Sequence, residues 1–200
     1  MRFEKEIKRN FTVTKLALTG KMRAGKDAAA HRLRLRHDFV GLAFGEDLKR
    51  IYHELNPWVP LEPKPRAAYQ EFGQEMRRLY GEDIWIRHVE RRLGILMESF
   101  EMFSDRLNVV ITDLRQPNEY EWARAQGFTI VRVSAPDEVR FERALRAGDD
   151  FTADDLLHHT ESYAEGFEVD FEIENSGSLD ELQAQVDELI TKISGKGAVY

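Results

Sequence analysis

The chain has 200 residues, 42% hydrophobic and 32% charged, with a formal net charge of −7 and no cysteine. This is the length of one ordinary domain with a buried core; it excludes a disulfide framework and thiolate chemistry, and no run approaches the roughly 18 apolar residues of a membrane span. The charge is uneven: residues 147–191 hold fourteen Asp and Glu and no Lys or Arg, which leaves the rest mildly basic, suited to small phosphates and too weakly basic for duplex nucleic acid.

In chain order, residues 1–13 read as a polar extension without a signal-peptide core, so a cytoplasmic protein with no membrane partner is expected. Thr14 to Thr19 is the first strand. Gly20-Lys21-Met22-Arg23-Ala24-Gly25-Lys26-Asp27 follows, and then a helix opening with Ala28-Ala29-Ala30. Strand, glycine loop, lysine and helix form a phosphate-binding arrangement with the G-x-x-x-x-G-K spacing. The glycines let backbone N–H groups converge on a phosphate, and the helix points its positive end there. Lys26 is expected to reach the outer phosphates. Asp27 departs from the pattern, which asks for Ser or Thr. A carboxylate there is tolerable if magnesium or its water shell lies between it and the phosphates, or if Arg23 offsets it.

The helix from Gly25 to about Arg36 carries Ala29 and Leu33 on one side. Phe39 to Phe44 reads as a second strand, and Glu46 to Leu55 as a helix with Leu48, Ile51 and Leu55 on one face. Four prolines between Asn56 and Pro65 forbid a regular helix or central strand. Two helices are predicted next: Arg66 to Tyr80, with Phe72, Met76 and Leu79 on one side, and Asp83 to about Phe100, with Ile86, Val89, Leu93, Leu96 and Phe100 aligned and Asp83 as N-cap.

Leu107 to Thr112 is an apolar strand of the buried parallel kind, ending in Asp113. In P-loop proteins such an acid holds magnesium, usually through water; the alternative is a cap on the next turn. A short helix runs to Gln126, a strand from Phe128 to Val133 and a helix from Asp137 to Ala147. A loop-rich stretch spans Gly148 to Gly166, with a final strand from Val169 to Ile173. Ser178-Leu179-Asp180-Glu181 is a capping box that opens a last helix with the stripe Leu179, Leu182, Val186, Leu189 and Ile193. Alternating strands and helices imply an α/β protein with a parallel sheet covered on both faces. Residues 66–102 read as a helical insertion.

Two further groups carry chemistry. On the helix after Pro136, Arg140, Arg143 and Arg146 share one arc, opposite Phe141, Ala144 and Leu145. This is either a solvated face or a set of arginines that clamps transferring phosphates, followed by a water-excluding lid. Arg66 to Arg77 and then Asp83-Ile84-Trp85 offer arginines, an amide and aromatics for a second phosphate and a base; an ordinary amphipathic helix pair is the alternative. The adjacent His158 and His159 read as structural or solvent-facing.

Several segments together resemble bacteriophage-type deoxynucleoside monophosphate kinases and their bacterial relatives, within the P-loop nucleoside monophosphate kinase group. They are Gly20 to Asp27, ending in G-K-D; Val110 to Glu119, similar to a D-x-R-x-P-N-E segment; Ala43 to Lys49; His159-Thr160-Glu161; and Asp170 to Leu179. The resemblance covers about residues 14–190. It implies a three-layer P-loop NTPase fold with a five-stranded parallel sheet and one domain over 1–200. Within that domain, about 56–102 would be a helical acceptor-binding insertion and about 147–166 a lid. It implies transfer of the ATP γ-phosphate to a (deoxy)nucleoside monophosphate with Mg2+. Gly20, Lys21, Arg23, Ala24, Gly25, Lys26, Asp27 and Ala28 would hold ATP, and Asp27 and Asp113 the metal. Arg115, Arg140 and Arg146 would neutralise the transferring group beside Lys26, while Lys49, Arg66, Gln70, Arg77 and Trp85 would face the acceptor. Two departures stand out: no Lys or Arg follows Arg146 in the lid, and Ala28 stands where a hydroxyl is common. The partners implied are small-molecule nucleotides, with a homodimer carried as an option. Two rival readings stay open: a kinase for another phosphorylated metabolite of the phosphomevalonate or dephospho-coenzyme A type, and a nucleotide-binding module without catalysis.

Overall fold

A computed structural model of the chain describes residues 11–146 and 159–196. Five strands, β1 (Thr12–Thr19), β2 (Phe39–Leu42), β3 (Arg106–Ile111), β4 (Thr129–Ser134) and β5 (Phe171–Glu174), make one parallel sheet in the order β2-β3-β1-β4-β5. Parallel strands need both faces covered, and the central ones are accordingly apolar at successive positions. Leu16, Ala17 and Leu18 in β1 and Val109, Val110 and Ile111 in β3 have no exposed surface. β1 pairs with β3 up to Ala17↔Ile111 and with β4 up to Thr19↔Arg132. This register brings the chain segments after β1 and β3 out at one edge of the sheet, where ligands of open α/β sheets bind.

The period-2 alternation of β1 divides the core. Leu16 and Leu18 face α1 (Lys26–Arg36) and α8 (Leu179–Lys196), packing with Ala29, Ala30 and Leu33 and with Leu182, Val186 and Leu189. Ala17 faces the other layer, where α2 (Phe44–Leu55), α4 (Ile84–Phe103) and α5 (Pro117–Ala125) contribute Phe44, Trp85, Ile86, Val89, Leu93 and Ala123. α3 (Arg66–Tyr80) packs on α2 and α4. The remaining helices among the described residues are α6 (Asp137–Arg146) and α7 (His159–Gly166). Three layers around a five-stranded parallel sheet match the fold expected from the sequence. No helix among the described residues is long and apolar enough to cross a membrane.

Several local expectations change. β2 stops at Leu42 and Phe44 already opens α2, because its N–H and that of Gly45 have a distant carboxylate to bond, described below. β5 lies at Phe171–Glu174, shifted from the predicted Val169 start. Residues 159–166 are helical, not loop. Arg132 holds the C-terminal end of α7 by donating to the carbonyls of Ala164, Glu165 and Phe167. Of the lid predicted over about 147–166, residues 147–158, and His158 with them, lie outside the described residues. Asp83 precedes α4 without capping it; its carboxylate pairs instead with Arg87 at 3.4 Å. The α8 box does form, with Ser178 N–H donating to Glu181 Oε2 at 2.7 Å and Glu181 N–H to Ser178 Oγ at 3.2 Å. Leu55, Leu79 and Leu179, placed on apolar stripes from the sequence, are exposed. Each sits in a terminal turn of its helix.

Candidate active site

The glycine loop between β1 and α1 holds three left-handed residues, Gly20 (φ 134°), Arg23 (φ 61°) and Gly25 (φ 109°). Both glycines are required by space as well as by φ. A Cβ on Gly20 would lie 2.1 Å from the Val133 carbonyl oxygen, and one on Gly25 2.1 Å from Asn175 Nδ2. Lys26 is the first residue of α1 and is 7% exposed. Its ammonium donates to the Gly20 carbonyl at 2.5 Å and to the Lys21 carbonyl at 2.8 Å. A buried ammonium needs such acceptors, and phosphate oxygens are stronger ones. Gly25 provides no side-chain cap, which leaves the first N–H groups of α1 for a ligand. Asp27 is exposed in the first turn. Lys21 forms an ion pair with Glu165 of α7. Across the loop, Arg66 at the start of α3 brings Nη1 to 3.9 Å from Met22 Sδ.

Two of the three arginines of α6, Arg140 and Arg143, turn toward the protein. Arg140 is 3% exposed; it donates to the Met22 carbonyl at 3.0 Å and to Asp137 at 2.7 Å. Arg143 donates to the Arg23 carbonyl at 3.5 Å and to the backbone and side-chain oxygens of Asn175 at 3.1 and 3.2 Å. Phe141 (41%) and Leu145 (72%) are the exposed large apolar side chains of this helix. Leaving an apolar side chain exposed forgoes about 1.5–3 kcal/mol. Orphaning buried loop carbonyls costs about 1–3 kcal/mol each, and stripping the guanidinium partners costs more. The polar contacts therefore set the orientation. Arg140, read as facing the transferring group, has its guanidinium engaged by loop backbone. Arg146 is exposed and donates to Glu142 one turn back at 2.5 Å.

Asp113, just past β3, accepts the N–H of Phe44 at 2.8 Å on Oδ1 and that of Gly45 at 2.9 Å on Oδ2. It caps α2, a helix distant in sequence, rather than the turn that follows it. Each oxygen keeps a second lone pair. Glu119 of α5 accepts the N–H groups of Arg115 and Gln116, both at 3.0 Å, and lies 3.6 Å from Arg77 of α3. Its burial, and then the charge of Asp113, push its pKa up to about 7, opposed by the two N–H donors and Arg77. Arg77 is thus tied to the sheet edge by an ion pair, while Arg115 and Gln70 are exposed. Lys49 is exposed too, and its Nζ is 3.8 Å from where a Gly45 Cβ would sit, beside Asp113. It opens onto a cavity of about 580 Å³ that His53, Leu61, Lys64 and Tyr69 also line; His53 Nε2 and Tyr69 Oη are 2.6 Å apart. Trp85 faces no acceptor. It is 2% exposed in the core, with Nε1 donating to the Gly73 carbonyl at 3.4 Å, because α3 lies over it.

Among the described residues no group of three or more His, Cys, Asp or Glu could hold a metal. Asp27 and Asp113 could supply one carboxylate contact each. That fits Mg2+, which keeps most of its waters and takes one or two carboxylates plus phosphate oxygens. The residues that sequence reasoning missed are Asn175, Glu119 and Arg132. Each is a polar side chain buried or half-buried against backbone, and only Asn175, at a strand end before Ser-Gly-Ser, sits where a turn signal was visible.

No protein-family model matches the chain, and no curated protein does. Its fold is found in solved structures of low identity. TT1252 from Thermus thermophilus is 20% identical over 90% of this chain and 97% of that one, with a TM-score of 0.55. Shikimate kinase from Acinetobacter baumannii in complex with shikimate is 14% identical over 94% and 97%, with a TM-score of 0.52. The tunicamycin resistance protein of Deinococcus radiodurans is 16% identical over 90% and 96%, with a TM-score of 0.53. These are likenesses of fold alone, a parallel sheet covered by helices on both faces.

Proposed function

We propose that the protein is an ATP- and magnesium-dependent kinase that transfers the γ-phosphate to a (deoxy)nucleoside monophosphate, giving the diphosphate and ADP. The observation that carries this is the meeting of Arg66, from the helical unit, with Met22 in the glycine loop. It sets a cation of the acceptor side against the loop that would hold the donor phosphates. Lys26 leaves the carbonyls of Gly20 and Lys21 for the β- and γ-phosphates, and the loop N–H groups take the rest. Arg115, exposed after β3, supplies positive charge to the transferring group. Lys49, Arg66 and Gln70 receive the acceptor, and Arg77 fixes α3 through Glu119. Asp27 and Asp113 would hold magnesium, which would neutralise charge on the phosphates. An acceptor phosphate is already anionic, so positioning and charge stabilisation suffice and no general base is required. In the transfer, an acceptor phosphate oxygen bonds to Pγ as the bond from Pγ to the β,γ-bridging oxygen breaks.

A second reading, a kinase for another small metabolite, is favoured by the fold shared with a shikimate kinase that holds shikimate. One panel separates the two. The protein is incubated with MgATP and each of a set of nucleoside monophosphates and non-nucleotide acceptors, and ADP release is followed. Turnover only with nucleoside monophosphates is the expected result. Turnover only with another acceptor moves the assignment to the second reading. Silence throughout, with nucleotide binding retained, leaves a binding module.

A further inference from the structure

Three consecutive carbonyls of the glycine loop each accept a hydrogen bond from a side chain outside it. Met22 accepts from Arg140 at 3.0 Å, Arg23 from Arg143 at 3.5 Å, and Ala24 from Asn175 Nδ2 at 2.8 Å. Arg140 and Asn175 are 3% and 5% exposed. Arg143 also holds Asn175 through both of its oxygens, so donors from α6 and from the β5–α8 connection form one unit. Peptide planarity gives these contacts a consequence. The carbonyl of one residue and the N–H of the next point in opposite directions across a trans peptide. Drawing the oxygens of residues 22, 23 and 24 outward turns the N–H groups of residues 23, 24 and 25 inward. The Ala24 N–H closes a turn onto the Lys21 carbonyl at 3.2 Å; by the same planarity those of Arg23 and Gly25 turn away from the side chains that hold the oxygens.

We infer that Arg140, Arg143 and Asn175 are positioning residues that hold the glycine loop from behind, presetting its N–H groups for phosphate oxygens without themselves touching the nucleotide. The inference rests on the nucleotide-binding reading above and adds to it a role the sequence did not assign: two arginines of α6 serve the loop backbone. Asn175 is positioned to do this because Gly25 has no Cβ, which would meet Nδ2 at 2.1 Å. Preorganised donors add affinity by removing the ordering cost at binding, and a loop held this way binds every nucleotide that shares its inner phosphates.

The test compares MgADP and MgATP binding by titration calorimetry for the wild type, Arg143→Lys, Arg143→Ala and Asn175→Asp. Arg143→Lys keeps the charge but cannot span three acceptors; Asn175→Asp removes the donor to Ala24. The expected result is that each variant weakens MgADP and MgATP by the same factor, about tenfold or more. The KM for ATP should rise while the acceptor KM stays within twofold, and added guanidinium should restore Arg143→Ala. Weakening confined to MgATP would show that the side chains reach the γ-phosphate directly and would overturn the inference. Unchanged affinity in folded variants would overturn it as well. Should Asn175→Asp fail to fold, Arg143→Lys and the guanidinium rescue decide. A wild type that binds neither nucleotide refutes the underlying reading too, which distinguishes that failure from failure in the variants alone.

Discussion

Lys26 concentrates the chemistry at the residue scale. A cation 7% exposed is tolerable only with acceptors, and its acceptors are the Gly20 and Lys21 carbonyls of its own loop. Lys26→Ala removes the cation that bonds those carbonyls. We predict that acceptor-dependent ADP release falls by about a thousandfold or more, in line with loss of a preorganised charge contact, while the circular dichroism spectrum is kept. Wild-type turnover would refute the loop assignment. Glu119 makes a different prediction. Its folded pKa is raised to about 7 by burial and by Asp113, against an ordinary value near 4.3. The folded state then binds the proton more tightly than the unfolded chain. Its stabilising contribution is full below about pH 4.3 and is lost as pH rises to about 7, by an amount on the order of a few kcal/mol. Glu119→Gln should abolish that slope. Melting temperatures from pH 5 to pH 8 should fall less in the variant than in the wild type, and parallel curves would sink the assignment.

At the scale of elements, α6 shows that a helix can bury its charged face. Periodicity grouped Arg140 with Arg143 correctly and could not say that this face meets the protein. A helical period tells which residues lie together; the partners of that face are the glycine loop, more than a hundred residues earlier, and Asn175, 32 residues later. The α1–α8 contact is clamped in the same manner. Asp187 accepts from Arg32 at 2.6 and 3.0 Å and lies 2.7 Å from His37 Nε2. The Arg32 hydrogen bonds, foremost, and His37 hold its carboxyl well below the usual carboxylate range. A depressed carboxylate stabilises above its unfolded pKa near 3.9 and loses that contribution as pH falls through its folded value. The carboxylate is partly exposed, so solvent screening limits the gain to about 1 kcal/mol. Asp187→Asn should lower the melting temperature at pH 7 by about 2–4 °C, with the gap closing in strongly acidic buffer. A constant gap from pH 7 to pH 2 would contradict it.

For the whole molecule, the parallel order β2-β3-β1-β4-β5 delivers the glycine loop, Asp113 and Arg115 to one edge, with α2, α3 and α4 beside them. A ligand bound there stabilises the entire fold by linkage. MgATP at about 100 times its Kd should add about 2.7 kcal/mol, several degrees in melting temperature. The shift should vanish in Lys26→Ala. An equal shift in both proteins would place nucleotide elsewhere.

Much of this was legible in the chain. The parallel α/β class, the strands around Leu16–Leu18 and Val109–Ile111, and the glycine loop follow from local chemistry: apolar runs that only a doubly covered sheet can bury, and glycines whose φ other residues seldom adopt. The sequence by itself thus determined the layers and the place where phosphate would bind. Only the tertiary structure decided which way the polar side chains turn. It buried Arg140 and Asn175 and half-buried Arg143 against the loop, gave Asp113 to the N–H groups of α2, and sank Trp85 beneath α3. Each outcome depends on a backbone donor or acceptor brought near by folding. Unmet polar groups in the interior cost more than a misplaced apolar surface, and which groups would go unmet is a property of the assembled sheet edge.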